Sequence, residues 1–383
     1  MKIRMGMVGG GSGALIGSVH RTSADITGDI DLVAGAFSSD PEASKAFGID
    51  LGLTAERAYG SFAEMFTQEA NLPQDERIQC VSIVTPNDSH ADIACAALAA
   101  GFHVICDKPL AGNLEDALRI EKAVDDSGLL FGLTHPYTGH PLAIEARERI
   151  AAGEIGEIRR VAVSYLQDWL SREEDTKASK QAIWRSDPAR SGESGAFADI
   201  GTHAFQLVEF MTGLSVTEIA AELRTVIPGR TIDDDGAAMF RLENGASGLL
   251  AASQVCSGAL NDLRIEIYGD AGSVFWAQET PESLTIKFRG QPDQVLHPGT
   301  NAAYLSEPAI AACRTPGGHP KGYIEAFANL YAGFARAVRN YPARVDTGYA
   351  SVADGVAGMR FIRAALNSSS NQSAWTRLDS GDT

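Results

Sequence analysis

A glycine-rich segment near the amino terminus places the strongest constraint on the fold. The apolar run Ile3–Val8 leads directly into Gly9-Gly-Gly-Ser-Gly-Ala14, in which Gly9, Gly11 and Ala14 match the pattern G-x-G-x-x-A. Glycine allows positive φ in a tight turn and lets the main chain approach a pyrophosphate, whose charge the amides of a following helix then meet. Without a ligand this is an ordinary glycine-rich turn, so the motif depends on its strand–turn–helix context.

The chain around this turn has the alternation that the motif needs. Between residues 1 and 134, short β-branched runs alternate with helix-like segments, which is typical of parallel βαβ units. Two helix starts carry capping residues: the Ser61–Glu64 capping box, and Asn113 before the amphipathic segment Leu114–Val124. We therefore predict an α/β fold that begins with a doubly wound parallel sheet of the Rossmann type. Its strands are predicted at Ile3–Val8, Leu32–Phe37, Val81–Thr85, Phe102–Cys106 and Leu129–Leu133.

A different pattern follows a helix predicted from Pro141 to Ala152. Short alternating runs separated by Gly, Asn and Asp turns favour a C-terminal α+β domain with a large, mostly antiparallel open sheet. Its strands include Ile158–Ser164, Ala237–Leu242, Ser247–Ser253, Arg264–Tyr268 and Leu284–Phe288. We also predict a helix at Gly195–Met211, long loops at 166–189 and 297–320, helices at Tyr323–Asn340 and Tyr349–Ala365, and a frayed tail after Asn367. The expected domains are 1–140 and 141–383, with the C-terminal helices free to pack back on the first domain.

Composition excludes several classes of protein. The chain has 383 residues, long enough for two domains, and its 32 Lys and Arg against 49 Asp and Glu give a formal charge of −17. Nucleic-acid binding needs clustered basic residues, so we expect no nucleic-acid partner. The chain has five cysteines, and none of them are spaced as C-x-x-C. We therefore expect neither a disulfide framework nor a metal site. Without a signal-peptide pattern or a sufficiently long apolar run, we expect a cytoplasmic protein with no membrane association.

The end of the second predicted strand bears on which nucleotide binds. The acidic residue that usually accepts a hydrogen bond from the ribose 2′-hydroxyl is absent, and Ser38 and Ser39 stand in its place. A serine accommodates either a hydroxyl or a phosphate, so NADP stays an alternative, while the lack of Arg and Lys between Ser38 and Ser44 favours NAD. Asp40 is placed either to reach the ribose or to cap the next helix.

Further segments carry polar residues at positions where a ligand-binding or catalytic site is expected. Thr85-Pro-Asn87, Cys106-Asp-Lys-Pro109 and Thr134-His-Pro-Tyr137 each follow a predicted strand, and open α/β sheets bind ligands at the carboxyl ends of their strands. In a later segment, Asp199 and His203 are spaced to share one face of a helix. Each feature alone is readily explained as a solvated surface residue. Their joint occurrence in these settings indicates a catalytic site.

Together these motifs resemble the glucose-fructose oxidoreductase and inositol dehydrogenase family, often called Gfo/Idh/MocA. The family's Glu-Lys-Pro motif matches Asp107-Lys-Pro109, and its G-x-x-x-D-x-G-x-H helix matches Gly195–His203. The likeness extends to Gly153-Glu-Ile-Gly156 and Trp184-Arg-Ser-Asp-Pro188, so it covers nearly the whole chain. Two departures are the aspartate at position 107, which keeps the charge but shortens its reach, and a longer glycine turn. The resemblance also implies a cis peptide bond before Pro109.

The resemblance implies roles for three residues: Lys108 matches the family's active-site lysine, Asp199 its aspartate and His203 its catalytic histidine. Oxidation of a secondary alcohol sends a hydride to the nicotinamide ring and a proton to a base. Imidazole, with an ordinary pKa of about 6.5, suits that base, so His203 is the expected general base. Lys108 is expected to hydrogen-bond the reacting oxygen and contact the nicotinamide ribose, and Asp199 to orient sugar hydroxyls and balance the lysine charge.

The expected binding residues combine the turn, the two serines, the strand ends and the later polar segments. The cofactor-binding set is Gly9, Gly11, Ser12, Gly13, Ala14, Ser38, Ser39, Thr85, Pro86, Asn87, His90, Asp107 and Lys108. The substrate-binding set is Lys108, His135, Tyr137, Trp169, Trp184, Arg185, Asp199, His203 and His319. Flat apolar faces with a few fixed donors suit a sugar. Packing is the alternative role for His135, Tyr137 and both tryptophans, and we expect His20 to be structural.

The function expected from these motifs and from the resemblance is an NAD(P)-dependent dehydrogenase that oxidises one ring hydroxyl of a cyclic polyol, an inositol or a pyranose, to a ketone. Two alternatives stay open: a redox-cycling glycosidase or epimerase-like enzyme with tightly bound NAD, and a non-catalytic nicotinamide-sensing regulator. The presence of all three catalytic groups counts against the regulator. By resemblance, the chain is expected to form a homodimer or homotetramer through the open face of its C-terminal sheet.

Overall fold

The chain forms two units, Met1–Pro136 with Phe327–Val356 and Tyr137–Ala326 with Ala357–Thr383. A computed structural model describes residues 2–173, 188–343 and 348–378. Trp184 and Arg185, both expected at the substrate site, lie outside these ranges. Within them, no helix combines the length and the apolar character that a bilayer span needs.

The first unit contains a parallel sheet. Its strands are β1 Ile3–Gly9, β2 Ile30–Ala36, β3 Cys80–Val84, β4 His103–Asp107 and β5 Phe131–Thr134. The order across the sheet is β2-β1-β3-β4-β5, with parallel pairing at each step, which confirms the predicted Rossmann-type architecture. All five residues of β3 are buried. Strands with both faces covered are apolar throughout rather than alternating, which explains the β-branched runs in the sequence.

Helices connect these strands, and their starts follow the predicted capping. They are α1 Leu15–Ile26, α2 Pro41–Asp50, α3 Phe62–Asn71, α4 His90–Ala99 and α5 Leu114–Ser127. The hydroxyl of Ser61 accepts a hydrogen bond from the amide of Glu64 (3.2 Å), and the Glu64 carboxylate accepts one from the amide of Gly60 (2.9 Å). The side chain of Asn113 accepts from the amide of Asp116 (2.8 Å). Capping depends on residues close in sequence, so these starts are predictable locally.

An ion pair with a buried carboxylate joins α3 to the segment between α2 and α3. The carboxylate of Glu69 is fully buried (0% exposed) and accepts from Arg57 Nε (2.9 Å), the hydroxyl of Tyr59 (2.9 Å) and the amide of Ile78 (3.0 Å). A second nitrogen of the Arg57 guanidinium lies 2.5 Å from the other carboxylate oxygen. A buried charge is tolerated only when its hydrogen bonds are satisfied, and here both oxygens have donors.

The second unit contains a larger sheet. Its strands are β6 Ile158–Leu166, β7 Val216–Arg224, β8 Asp235–Leu242, β9 Ser247–Ser253, β10 Asp262–Gly269, β11 Gly272–Ala277, β12 Leu284–Phe288, β13 Gln294–Leu296 and β14 Thr376–Arg377. The order is β13-β12-β11-β10-β6-β9-β8-β7-β14. Among the described strands of this second sheet, β6 and β9 alone pair in parallel, and the other neighbours are antiparallel. This confirms the predicted mostly antiparallel sheet.

Aromatic side chains pack the helices of the second unit together. The later helices of the chain are α6 Pro141–Ala151, α7 Pro188–Ser191, α8 Thr202–Thr212, α9 Glu307–Ala311, α10 Tyr323–Asn340 and α11 Val352–Ser370, and a π-helical turn, Phe197–Gly201, runs into α8. The rings of Phe205 and Phe197 stack on Phe361 at centroid distances of 4.6 and 5.4 Å. A β-carbon at Gly236 would lie 2.8 Å from the Phe197 ring, so glycine makes room for that ring.

Two local predictions were wrong. The expected loop at 297–320 contains α9, whose start is capped by the Ser306 hydroxyl, which accepts from the amide of Ala309 (3.4 Å). The final helix begins at Val352 rather than Tyr349, because Ala350 bridges to the end of β5 instead. The helix predicted near Gly195–Met211 is present, and its first part is the π-helical turn.

The described part of the tail after Asn367, residues 368–378, has defined structure, contrary to the prediction of fraying. Ser368 is fully buried (0% exposed); its hydroxyl accepts from the amide of Ala221 (2.8 Å) and donates to the carbonyl of Ala374 (2.7 Å). The serine-rich composition suggested a solvated tail. The Ser368 hydroxyl instead bonds an amide of β7, a contact distant in sequence that no local pattern reveals.

We expect Glu69→Gln to lower the free energy of unfolding by about 3 kcal/mol, because the substitution removes the negative charge that pairs with Arg57 in a buried setting. Urea denaturation followed by circular dichroism measures the change. Asp126→Asn is the control, since it breaks the Lys122–Asp126 pair, whose side chains are 75% and 65% exposed, and we expect no measurable effect there. Equal losses in the two variants would contradict a stabilising role for the buried pair.

Candidate active site

The glycine turn packs the start of α1 against β1 and the end of β2. Gly9 has φ +86°, and a β-carbon there would lie 2.7 Å from the carbonyl oxygen of Val84. At Gly11 a β-carbon would lie 2.5 Å from the carbonyl oxygen of Phe37. A β-carbon at Gly17 would lie 2.4 Å from Cα of Gly10, so this pair makes the close helix–strand approach that the third small residue of such motifs provides.

The start of α1 presents amide donors without a side-chain cap. Ala14 occupies the cap position, and among the described residues no side chain caps this helix end. Ser12 and Gly13 are exposed, Gly13 has φ +77°, and a β-carbon there would meet open space. A helix amino terminus with free amides attracts negative charge, so this turn fits the pyrophosphate of a dinucleotide.

The two serines after β2 are exposed, whereas the aspartate that follows them caps a helix. Ser38 and Ser39 are exposed, and the Ser38 hydroxyl accepts from the amide of Asp40 (3.1 Å). The carboxylate of Asp40 accepts from the amides of Glu42 (3.0 Å) and Ala43 (3.1 Å), so it caps α2. Of the two roles considered for Asp40, the structure therefore shows helix capping.

After β3, His90 ties two loops together. Thr85, Pro86 and Asn87 follow the strand, and the Thr85 hydroxyl accepts from Ser89 Oγ (2.7 Å). His90 is fully buried, with Nδ1 3.0 Å from the carbonyl oxygen of Pro109 and Nε2 3.0 Å from that of Thr85. Both ring nitrogens therefore face main-chain carbonyls, and the ring supports the loops after β3 and β4.

Charged residues cluster at the ends of β4 and β5. The carboxylate of Asp107 accepts from the hydroxyl of Thr134 (3.0 Å), and the Lys108–Pro109 bond is cis, as the resemblance implies. Burial alone would raise the pKa of Asp107, but the imidazole of His20 and the ammonium group of Lys108 hold that pKa below its usual value. Burial and the charge of Lys108 lower the pKa of His135 to about 3, so that imidazole is neutral near pH 7.

In the second unit, a buried carboxylate fixes the start of the segment that holds Asp199 and His203. Asp233 accepts from the amides of Gly195 (2.8 Å) and Phe197 (2.9 Å). A β-carbon at Gly195 would lie 2.1 Å from the carbonyl oxygen of Asp233, so this position requires glycine. Asp199 then lies in the π-helical turn and His203 in the first turn of α8, where it is 6% exposed.

Two glutamines that the sequence patterns did not single out link Asp199 to Trp169. Gln254 Nε2 donates to a carboxylate oxygen of Asp199 (2.8 Å) and lies 3.5 Å from Oε1 of Gln167. The same Gln167 oxygen accepts from the indole of Trp169 (2.9 Å). Gln167 and Gln254 directly follow β6 and β9, the parallel pair, so their place after two strands was the available signal.

Two tyrosines pack beside His203. The hydroxyls of Tyr137 and Tyr165 are hydrogen-bonded to each other, and Tyr165 also donates to the side-chain oxygen of Asn261 (2.7 Å). The Tyr137 ring meets that of His203 edge-on at 4.9 Å. Burial raises the pKa of both phenols, so they stay protonated and act as hydrogen-bond donors. The same Asn261 oxygen accepts from Nε2 of Gln167 (2.7 Å), which joins Tyr137, Trp169, Asp199 and His203 into one cluster of the second unit.

His319 is the described substrate candidate that the structure does not connect to either cluster. It lies exposed in the loop before α10, with Nδ1 3.2 Å from the carbonyl oxygen of Pro316. Across the three described ranges, no group of three or more His, Cys, Asp or Glu side chains is arranged to hold a metal ion.

Comparison with known proteins identifies the class. Residues 3–135 match the family model described as the oxidoreductase family, NAD-binding Rossmann fold, and residues 143–275 match the GFO/IDH/MocA C-terminal domain. The chain is 34% identical to an uncharacterized oxidoreductase, YfiI, of Bacillus subtilis (strain 168), over 98% of this chain and 97% of the relative. It is 28% identical to the inositol 2-dehydrogenase of Rhizobium meliloti (strain 1021), over 96% of this chain and 97% of the relative.

A solved structure agrees with these matches. An inositol dehydrogenase homolog from Azotobacter vinelandii, complexed with NADH and myo-inositol, superposes with a TM-score of 0.90 at 34% identity, and 98% of each chain is covered. The fold, the glycine turn and the matched models define an NAD-binding oxidoreductase. The chain belongs to the Gfo/Idh/MocA family.

We expect Gly11→Ala to weaken NAD binding by about tenfold or more, because the added β-carbon would meet the Phe37 carbonyl at 2.5 Å and displace the turn. Titration with NAD or NADH, followed by fluorescence, measures the affinity. Gly28→Ala is the control: Gly28 has φ +69° and open space around it, so alanine there strains the end of α1 without touching the turn. Unchanged NAD affinity in Gly11→Ala would refute this role for the turn.

Proposed function

We propose that this protein is an NAD-dependent dehydrogenase that oxidises a ring secondary hydroxyl of a cyclic polyol or sugar, an inositol or a pyranose, to a ketone. The observation that carries the proposal is the cluster in which Asp199 and His203 lie with hydrogen-bonding side chains and an indole. Such a cluster supplies acceptors, donors and a flat apolar surface, which a polyhydroxylated ring needs. The names of the Rhizobium and Azotobacter relatives point to the same substrate class.

The residue roles follow from the chemistry of alcohol oxidation. When bound, NAD supplies the ring carbon that accepts the hydride. His203 takes the hydroxyl proton as general base, a task for which neutral imidazole is suited near pH 7. Lys108 donates a hydrogen bond to the reacting oxygen and stabilises its negative charge. Asp199, held by Gln254, accepts hydrogen bonds from ring hydroxyls.

The neighbouring aromatic and imidazole groups bind rather than react. His135 is too weak a base to take the proton, since its pKa is lowered to about 3, so it serves as a neutral hydrogen-bonding group. Tyr137 keeps its phenolic proton and orients the His203 ring from the side. Trp169, half-buried, offers its indole face to the apolar side of the substrate ring.

The residues after β2 favour NAD over NADP. Ser38 and Ser39 are exposed where a ribose 2′-hydroxyl is usually read, and Asp40 and Glu42 follow them at the start of α2. No Arg or Lys occurs between Ser38 and Ser44. Two carboxylates near a 2′-phosphate disfavour it, because like charges repel.

We expect His203→Asn to lower kcat about 10²- to 10⁴-fold in NAD-dependent oxidation of whichever inositol or hexose the wild type turns over best, since the base is lost. A panel of inositols and hexoses, with NADH formation read by absorbance and products identified by mass spectrometry, measures this.

His297→Asn is the matched control. His297 is exposed in the second unit, with Nδ1 2.8 Å from the carbonyl oxygen of Glu282, and we expect full activity from that variant. Full turnover by His203→Asn would overturn the assignment of the base. Substrate conversion without NADH accumulation would indicate the redox-cycling reaction instead, and NAD binding without any conversion would indicate a regulator.

We further propose that the chain forms a homodimer or homotetramer through the open face of its larger sheet. Ala220, Met239, Leu249 and Ala162 are in register across β7, β8, β9 and β6, and Met239 and Leu249 are 49% and 42% exposed. The opposite face is buried, as the alternating burial of β8 shows. The exposed side chains of Met239 and Leu249, at the middle of this apolar row, indicate a surface that another protein covers, and the family resemblance points to a second copy of this chain.

Leu249→Glu is expected to reduce the assembly to monomers, because it places a charge at the centre of the apolar row. Light scattering after size-exclusion chromatography measures the mass. Val295→Glu is the control, since Val295 is 51% exposed on the edge strand β13, and we expect its assembly to match the wild type. A monomeric wild type would exclude the proposed interface.

A further inference from the structure

His20 is a buried titratable residue to which the proposed mechanism assigns no role. It lies in α1, directly after the glycine turn, and is 0% exposed. Its Nδ1 is 2.7 Å from the hydroxyl of Tyr331 and 3.4 Å from that of Ser82, and these two hydroxyls lie 2.8 Å apart. On the other side, Nε2 lies 3.6 Å from the carboxylate of Asp107. Three separate elements of the first unit therefore converge on one imidazole.

The contacts decide which ring nitrogen carries the proton. Nε2 has no hydrogen-bond partner within 3.5 Å among the described residues, and its nearest charged group is the Asp107 carboxylate, which accepts hydrogen bonds but cannot donate them when ionised. A proton on Nε2 therefore faces the negative charge, and Nδ1 accepts from Tyr331. Burial raises the pKa of Tyr331, so its hydroxyl keeps the proton that this arrangement requires.

Asp107 faces this imidazole and directly precedes the proposed catalytic lysine in the chain. Thr134 donates to the same carboxylate oxygen that faces His20, at 3.0 Å. Lys108 follows Asp107 in the chain, and its charge, together with the imidazoles of His20 and His90, favours the ionised carboxylate. Other ionisable groups that interact with this region are the neutral His135, the protonated Tyr331 and the buried thiol of Cys106, whose pKa is raised by burial and by the charge of Asp107. A carboxylate held by the Thr134 hydroxyl and faced by the His20 imidazole keeps a fixed direction.

We propose that Tyr331 and His20 are positioning residues for the reaction: they orient the Asp107 carboxylate, which in turn orients the Lys108 ammonium group. This inference rests on the role of Lys108 in the proposed function. Tyr331 and His20 touch neither substrate nor cofactor in this scheme. The shorter aspartate, in place of the family's glutamate, depends on this support because its carboxylate has less reach toward the lysine.

The main test compares two buried tyrosines of the first unit. Tyr331→Phe removes the hydroxyl that faces His20, and Tyr59→Phe removes the hydroxyl that donates to Glu69 (2.9 Å), away from Asp107. We expect kcat to fall about fivefold at pH 7 in Tyr331→Phe, with little change in the Kd of NAD, and to stay at the wild-type value in Tyr59→Phe. If both variants lose the same free energy of unfolding and neither loses kcat, the role of Tyr331 is merely structural and the proposal fails.

The titration of the Asp107 carboxyl gives a second readout, because protonation of His203 as the base limits kcat at a higher pH than protonation of Asp107 does. If Tyr331 and Thr134 support the carboxylate, their removal raises the pKa of Asp107. We therefore expect the Asp107 carboxyl signal in carbon-13 NMR to titrate at higher pH in Tyr331→Phe, and in Thr134→Val, which removes the direct donor to Asp107, than in the wild type. An unchanged titration of Asp107 in both variants would overturn the proposal.

A third measurement does not depend on turnover. Nitrogen-15 NMR of the imidazole rings reports the tautomer of each histidine, and His20→Gln identifies the signals of His20. We expect a neutral ring protonated at Nε2 in the wild type and an altered ring signal in Tyr331→Phe. A proton on Nδ1 would refute the positioning scheme. If no polyol is oxidised but the NMR result holds, the proposed substrate class fails while the His20 arrangement stands.

Discussion

The first unit depends on the contact between Gly10 and Gly17. A β-carbon at either position would lie within 2.8 Å of the other residue's main chain, so α1 reaches β1 only because both side chains are hydrogen. That contact brings the free amides of the helix start to the edge where the parallel strands end. It also carries His20, one turn further along α1, to Ser82 on β3. Nucleotide recognition and the support of Asp107 thus share one steric cause.

The two units hold their polar residues in different ways. At the strand ends of the first unit the cluster is ionic, because Asp107 lies among Lys108, His20 and His90 in a buried setting. Near Asp199, one described partner is a neutral amide, that of Gln254. Buried charge stabilises a developing negative charge strongly, whereas a neutral amide fixes the direction of a hydrogen bond without a large field. The Gln254 amide therefore sets the direction of the Asp199 carboxylate.

Local signals in the sequence predicted both sheets, the caps at Ser61 and Asn113 and the position of the glycine turn, since these depend on residues a few positions apart. The sequence did not predict Gln254 as a partner of Asp199, because that contact depends on how the end of β9 packs against the π-helical turn, 55 residues away in the chain. The buried Ser368 was missed for the same reason: its partner lies on β7. The roles of the site residues are proposals, because they depend on a bound substrate and nucleotide whose contacts no local pattern encodes.

The parallel pairing of β6 with β9 makes the site sensitive to some changes in chain length and indifferent to others. Successive side chains of a strand face opposite sides, so one residue inserted within β9 would exchange its two faces and bring Ser253 to the place that Gln254 holds. Extra residues in the turn between β8 and β9 leave that alternation intact. Divergence among related chains can therefore accumulate in the hairpin tips, while the stretch that ends at Gln254 must keep its length.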